Sequence, residues 1–557
     1  MATTLPTPLQ VPTSKERKYD RQLRLWAASG QKALEEAHIL LINSGTGLVG
    51  IETLKNLILP GVGHFTILDD ATVQEEDLGI NFFLEEESLG KSRAEQCCKL
   101  LNELNPDVTG NYISEPIETL LSQTDALPDA LEKYSLVLVT SPIKPDAFKA
   151  VCKYTQDHSI PLFYIHCVGF YSCFSIQLPP TFPIVDTHPD PASTQDLRLL
   201  DPWPELAAEA AKYKDLDPLN DHDHGHVPYI ILLLHYLEIW RSEHDGRAPE
   251  NYKEKTAFKD MVKAGARQNS AEGSEENYEE AIAAVLKTIN KPSLPSTLRE
   301  LFEMEECKNP TKDSARFYLI ANAISKFYNT NKALPLPGSV PDMKSESHTY
   351  VSLQSLYRAR SASDIASVIS YVRSLEHSVG RLTPISEKEI EAFCKNAAYV
   401  KVIHGKPLHP IQAGQREFQL GDDVKMYMME LMNDEEENSC FPTFIAFIAY
   451  DVFYAETGRP PTTKDSAKLF PILSSMLSNI PVFTLLTDDD RDSLLPRLQN
   501  VLLEIGRAKG GELHNIAALT GGIVSQEAIK VITEQYVPVD NTCVFDGIKS
   551  RSQVFRI

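Results

Sequence analysis

One stretch limits the fold more than any other: "HILLINSGTGLVGIETLKNLILPGVGHFTILDD", residues 38–70. An apolar run leads into Gly45, Gly47 and Gly50, a complete G-x-G-x-x-G, and a helical pattern follows. A second apolar run ends on Asp69, 19 residues beyond Gly50. Strand, glycine turn, helix and strand in that order predict a βαβ unit of a parallel sheet. In a dinucleotide-binding unit the glycines allow a tight turn and close phosphate approach, and an acid about 20 residues on takes the ribose hydroxyl. The same glycines also serve plain strand–helix packing, where a side chain would not fit. The motif settles local topology and leaves its ligand open.

Alternation continues around this unit. Strands are expected at 38–42, 64–68, 109–115, 135–140 and 162–167, and helices at 30–36, 50–59, 91–104 and 146–157. From the proline-rich "QLPPTFPIVDTHPDPA" (177–192) to about residue 480, helical periodicity dominates. A long helix at 514–536 and two short strands, "CVFDGI" and "SQVFRI", then return to α/β character. A chain of 557 residues exceeds one ordinary core. The expected architecture is an α/β, Rossmann-like fold interrupted by a large helical insertion. Its parts are a disordered, proline-broken leader (1–17), a first α/β part (18–175), the insertion (176–484) and a second α/β part (485–557).

A formal charge of −23 argues against nucleic acid or an anionic membrane as the main partner. The greasiest stretch, "VPYIILLLHYLEIW" (227–240), is too short and polar to span a bilayer and is expected as a buried helix. The first residues show no apolar signal core. Nine cysteines include no C-x-x-C pair, which speaks against a zinc ribbon or a dithiol redox motif and for a cytoplasmic and nuclear setting. Cys167, Cys173 and Cys307 are expected as buried small hydrophobes. His222, His224 and His226 invite a metal, but their alternate spacing beside Asp221, Asp223 and Pro228 suits a loop entering a helix, so no metal is expected. Met426, Met428, Met429 and Met432 are expected to fill core, and the acidic runs 434–437 and 488–490 to be solvated.

Five segments together resemble the adenylation fold of ubiquitin-like-protein activating enzymes, the ThiF/MoeB type. They are "KYDRQLRLW" (18–26), the glycine loop, the run from Leu54 to Phe83, "LGKSRAEQCCKLLNELNP" (89–106) and "HNIAALTGGIVSQEAIKVIT" (514–533). "HDHGHVPYIILLLHYL" (222–237) and "LPLPGSVPDM" (334–343) are similar, more narrowly, to the non-catalytic halves of heterodimeric activating enzymes that serve Nedd/Rub-type modifiers. The resemblance runs in order over nearly the whole chain. It implies a helical domain set into the adenylation fold, as a counterpart of the catalytic-cysteine region.

Catalytic halves of that family adenylate a modifier's C-terminal glycine and then capture it on a cysteine. Their Asp-x-Asp after the second strand falls here on Asp69 and Ala71. The asparagine and arginine that follow are replaced by Gly79 and Ile80. An alkyl side chain offers no donor to triphosphate oxygens, whereas arginine offers five in a planar fork. The strand that carries a magnesium-directed acid reads "LVLVTSPIKPD" (136–146), with Ser141 and Pro142 at its tip and Asp146 well into the next element. No cysteine is followed by threonine, the family's context for the thioester nucleophile.

The resemblance therefore implies a degenerate nucleotide loop (Gly45, Gly47, Gly50, Asp69) and no catalytic residue or bound cofactor in this chain, with ATP and magnesium in a catalytic partner subunit. Arg21, and secondarily Arg24, would reach the partner's ATP in trans, Arg21 being aimed by the apolar turn of Leu23, Leu25 and Trp26. On the residues alone, Arg21 reads as a surface salt-bridge residue. Pro341, Asp342 and Met343 are expected at the partner interface, and the modifier and its conjugating enzyme as further partners. Two other readings stay open, a self-sufficient adenylating enzyme and a nicotinamide-dependent dehydrogenase.

Overall fold

A computed structural model describes residues 12–122, 133–189, 196–267, 274–413, 423–432, 438–478 and 488–557. The chain divides into two compact units, one formed by Met1–Ile184 with Ile403–Ile557 and the other by Val185–Val402.

Among the described residues the first unit is built on an eight-stranded sheet. Its strands are β1 (His38–Ile42), β2 (His64–Leu68), β3 (Thr109–Ile113), β4 (Leu136–Thr140), β5 (Leu162–Val168) and β6 (Tyr171–Gln177), then, after β7 (Phe182–Val185) and β8 (Val400–Ile403), β9 (Thr542–Asp546) and β10 (Arg551–Phe555). Across the sheet the order is β10-β9-β6-β5-β4-β1-β2-β3, while β7 and β8 pair separately. β3, β2, β1, β4 and β5 are parallel; β6, β9 and β10 extend the sheet in antiparallel fashion. The strand order reverses between β1 and β4, where crossovers leave a crevice at the strand ends. The glycine loop lies there.

Strands buried on both faces read as continuous apolar runs, and β1 and β4 do so in "HILLI" and "LVLVT". One face packs Ile39, Leu41, Phe65 and Ile67 against the helices Leu48–Ile58, Arg93–Asn102 and His514–Thr533. Gly521 lets two of these helices touch, since a Cβ there would stand 2.8 Å from the Thr53 nitrogen. His514–Thr533 is long and apolar enough to cross a bilayer, but 61% of that window is buried. The opposite face carries the helix Pro145–Asp157 over β1, β4 and β5.

Residues 403–484, expected within the insertion, cluster with the α/β unit. The physical reason is the helix Phe441–Thr457, whose apolar surface covers Val168, Tyr171 and Cys173 at the β5–β6 turn and Val544 on β9. Ser14–Lys18, within the stretch expected as a leader, is helical: Thr13 and Glu16 form a capping box, and Lys15 and Lys18 reach Glu35 at 2.8 Å and Asp107 at 2.6 Å. Met426 and Met429 are exposed rather than core, where Tyr427 and Leu431 stand instead; the side chains of Met428 and Met432, and residues 434–437, lie outside what is described. The run 488–490 opens the helix Asp488–Ala508.

The second unit is helical apart from its share of β7 and β8. Tyr229–Glu243, the expected buried helix, is surrounded in one core, and Arg316–Asn331 packs beside the 33-residue Ser347–Val379 in another.

Candidate functional site

The crevice after β1 holds the residues that the glycine motif singles out. Gly47 caps the helix Leu48–Ile58 with φ +62°, and a Cβ there would fall 2.1 Å from the Asn43 amide nitrogen. Asn43 thus fills the hollow of the loop. Its Nδ2 donates to Asp69 Oδ2 at 2.9 Å.

Asp69, the expected ribose acid, is 1% exposed. Its Oδ1 accepts from the Ala71 amide at 3.0 Å and from an Arg93 guanidinium nitrogen at 3.1 Å. Its Oδ2 accepts from Asn43 and from Arg93 Nε at 2.8 Å. A carboxylate has about four acceptor positions, and all four are taken. Arg93, itself 4% exposed, also reaches Asp77 at 3.4 Å. Two acids, one guanidinium and one amide form a closed network beneath the loop.

A helix N-terminus ordinarily presents free N–H groups to a phosphate. Here the Val49 N–H, in the first turn, donates to Glu512 Oε2 at 2.7 Å. Glu512 comes from just before the helix His514–Thr533 and is 5% exposed. Burial pushes its carboxyl up to about 7, against the Val49 hydrogen bond and the Arg93 charge. The anion position therefore holds the protein's own acid. Sequence reasoning missed Arg93 and Glu512; Arg93 lies in the quoted segment 89–106 without an expected role there, and Glu512 stands 463 positions from Val49.

At the positions expected to lack the family's catalytic groups, Gly79 is exposed, and Ile80 is half-buried and packed against the sheet's core. Ala71 serves the fold through its backbone, donating to Asp69 and accepting from Arg93 N at 2.9 Å. Ser141 is buried, and Asp146 is exposed on the first turn of its helix. All nine cysteines are free and buried. Burial pushes the Cys97, Cys152 and Cys307 thiols up to about 12, far from the thiolate a nucleophile needs.

Arg21 and Arg24 differ. Both are exposed on the helix Asp20–Glu36, but Arg24 pairs with Asp20 at 2.9 Å, while Arg21 has no ion pair among the described residues. The expected apolar turn is only partly buried, since Leu25 is 48% exposed. Of that turn Trp26 is buried as expected, and with Tyr19 it anchors the segment. Tyr19 lies under Asn105 and Asp107, and Trp26 donates to Gln31 at 3.1 Å.

In the helical unit, Pro341 is half-buried and Asp342 exposed. Met343 departs from the expected interface: its side chain is buried in the unit's own core. The three histidines do not act together. His224 is buried, bonded to Glu275 at 2.6 Å and Tyr278 at 3.1 Å. His222, His226 and Glu346 bring one donor atom each within 4.8 Å of one another, with His222 hydrogen-bonded to Glu346 at 2.9 Å.

A match to the ThiF family covers residues 19–557. The chain is 36% identical over 559 residues to a Xenopus laevis protein named NEDD8-activating enzyme E1 regulatory subunit, covering 98% of this chain and 100% of the relative. The Drosophila melanogaster protein of that name is 34% identical, covering 98% of each chain, and the Saccharomyces cerevisiae one 24% identical, covering 97% and 100%. A crystal structure of Escherichia coli MccB with ATP shares 17% identity and a TM-score of 0.26, over 30% of this chain and 49% of that one, too distant to bear on the site.

Proposed function

The chain belongs to the ThiF family, and from that membership we propose that it is the regulatory, non-catalytic half of a heterodimer that activates a Nedd/Rub-type modifier. Relatives similar over their full length carry the regulatory-subunit name. The catalytic partner supplies ATP, magnesium and the thioester cysteine, and the conjugating enzyme takes the product. This chain works where such modifiers are handled, in the cytoplasm and nucleus.

One observation carries the non-catalytic part of this reading. Adenylation needs acceptors free for ribose and donors free for phosphate. Here the Asp69 carboxylate is saturated from inside, and the Val49 N–H is held by Glu512. Ile80 adds no donor. The chain keeps the scaffold of a nucleotide site with its contacts directed inward. Arg21, exposed and without an ion pair among the described residues, is the group positioned to serve a partner's triphosphate.

ATP–pyrophosphate exchange tests this reading. The purified chain alone is expected to show none in the presence of modifier, and the reconstituted heterodimer is expected to show it. Exchange by the chain alone would return it to the self-sufficient adenylating enzymes.

A further inference from the structure

On the face of the sheet opposite the helices Leu48–Ile58 and His514–Thr533, β5 and β6 and the helix Phe441–Thr457 line a partly open cavity of about 170 Å³. Phe148, Phe444, Phe447, Ile448 and Leu408 form its apolar walls. Tyr164, His166 and Asp451 give it a polar side. No lysine or arginine lines it among the described residues.

The polar side is incompletely satisfied. Asp451 stands in a helix, FPTFIAFIAYDVFYAET, that is otherwise apolar up to Glu456 except for Thr443. Its carboxyl oxygens meet the Tyr164 hydroxyl at 3.3 Å each, long for an O–H···O bond. Its ion-pair neighbour among the described residues is His166, whose Nδ1 stands 3.6 Å away. His166 is 3% exposed, and its Nε2 has no hydrogen-bond partner. Burial holds the imidazole down at about 3, so the ring is neutral and supplies no counter-charge. Burial likewise pushes the Asp451 carboxyl up to about 8, against the Tyr164 hydrogen bond. A half-buried acid with no lysine or arginine beside it among the described residues is held in its neutral form, and a cation placed against it would recover its charge.

We propose that this cavity binds a small organic cation, a protonated amine with an apolar body about the size of one aromatic ring, its ammonium group on Asp451. Size sets the body, since an apolar cavity of about 150 Å³ takes a benzene ring. Chemistry sets the head. Asp451 and the aromatic faces of Tyr164, Phe444 and Phe447 attract positive charge, and an ammonium brings three donors to an acid that lacks them. An anion would meet the acid with no lysine or arginine beside it among the described residues and with the His166 ring neutral. A neutral alcohol would leave the acid in its protonated form and gain no charge attraction, whereas an ammonium draws it into the carboxylate form.

The test uses the full-length protein with three probes of one shape: phenethylamine, 2-phenylethanol and phenylacetate, followed by calorimetry. Saturable one-to-one binding of phenethylamine is expected, with 2-phenylethanol at least tenfold weaker and phenylacetate not bound. Asp451→Asn should weaken phenethylamine at least tenfold and leave the alcohol unchanged. Ile448→Trp, which keeps the acid and fills the space, should abolish both. Absence of phenethylamine binding, equal binding of the alcohol, or amine affinity unchanged in either variant would each overturn the proposal.

Discussion

Asp69 and Asp451 are acids of one unit, set on either side of one sheet, and they are held in opposite ways. Asp69 has four hydrogen bonds, two of them from one guanidinium, and is sealed at 1% exposure. Asp451 has one phenol at long range, a neutral imidazole beyond bonding distance, and an open cavity in front of it. The glycine-loop site looks functional in sequence, yet its lone pairs are spent. The second site carries no motif, and its acceptors are held only by one long bond from Tyr164. Accounting for each donor and acceptor separates a remnant from a vacancy better than residue identity does.

The largest expected effect lies in the sealed network. Arg93→Ala strands two buried carboxylates, so the unit should lose about 3–5 kcal/mol of stability, whereas Asp451→Asn, replacing an already neutral acid by its amide, should cost less than about 1 kcal/mol. Urea unfolding of both variants checks this. Similar losses would erase the distinction between the two sites.

A middle-sized effect should follow pH. Glu512 sits at about 7 in the folded chain, above the ordinary glutamate value of about 4.3. The folded state then binds more protons than the unfolded one, so Glu512's contribution to stability falls as pH rises across that window and is constant above it. The slope is at most about 1.4 kcal/mol per pH unit. Asp451, at about 8, acts with the same sign and extends the decline upward. Glu512→Gln should gain on the wild type as pH rises from 5 to 7, while Arg93, Cys167 and Tyr450 around it stay in place. A difference independent of pH would mean that Glu512 is ionised in the fold.

The smallest effect on stability belongs to Arg21→Ala, within about 0.5 kcal/mol, because the side chain is exposed. Its effect on function should be larger. Modifier adenylation by the heterodimer should slow as ATP is varied, with Arg21→Lys only partly restoring it because the planar fork is lost. Unchanged kinetics would assign Arg21 to the bare surface.

Much of the fold was legible in local pattern. The expected strand at 38–42 matches β1, that at 64–68 matches β2, and Pro145 opens its helix one residue from the expected start. β6, "YSCFSIQ", was missed because polar residues interrupt its apolar rhythm; Ser175 bonds to Thr542 at 2.8 Å and Ser172 accepts from Thr520 at 2.6 Å, partners hundreds of residues away. The site was legible only as a position. That Arg93 would close on Asp69, or Glu512 on Val49, depends on chain segments meeting in space, and periodicity does not register such pairings.

The network around Asp69 also bears on ancestry and descent. With Arg93, Asn43 and the Ala71 backbone all committed to Asp69, no single substitution both frees this acid for a ribose and keeps its buried partners satisfied. An arginine at position 80 would restore one phosphate donor and leave the ribose acid occupied. Freeing that acid first, by changing Arg93, would unsettle the core before any catalytic advantage appeared. Any step that opened this crevice to a nucleotide would therefore be coupled to a step down in folding stability.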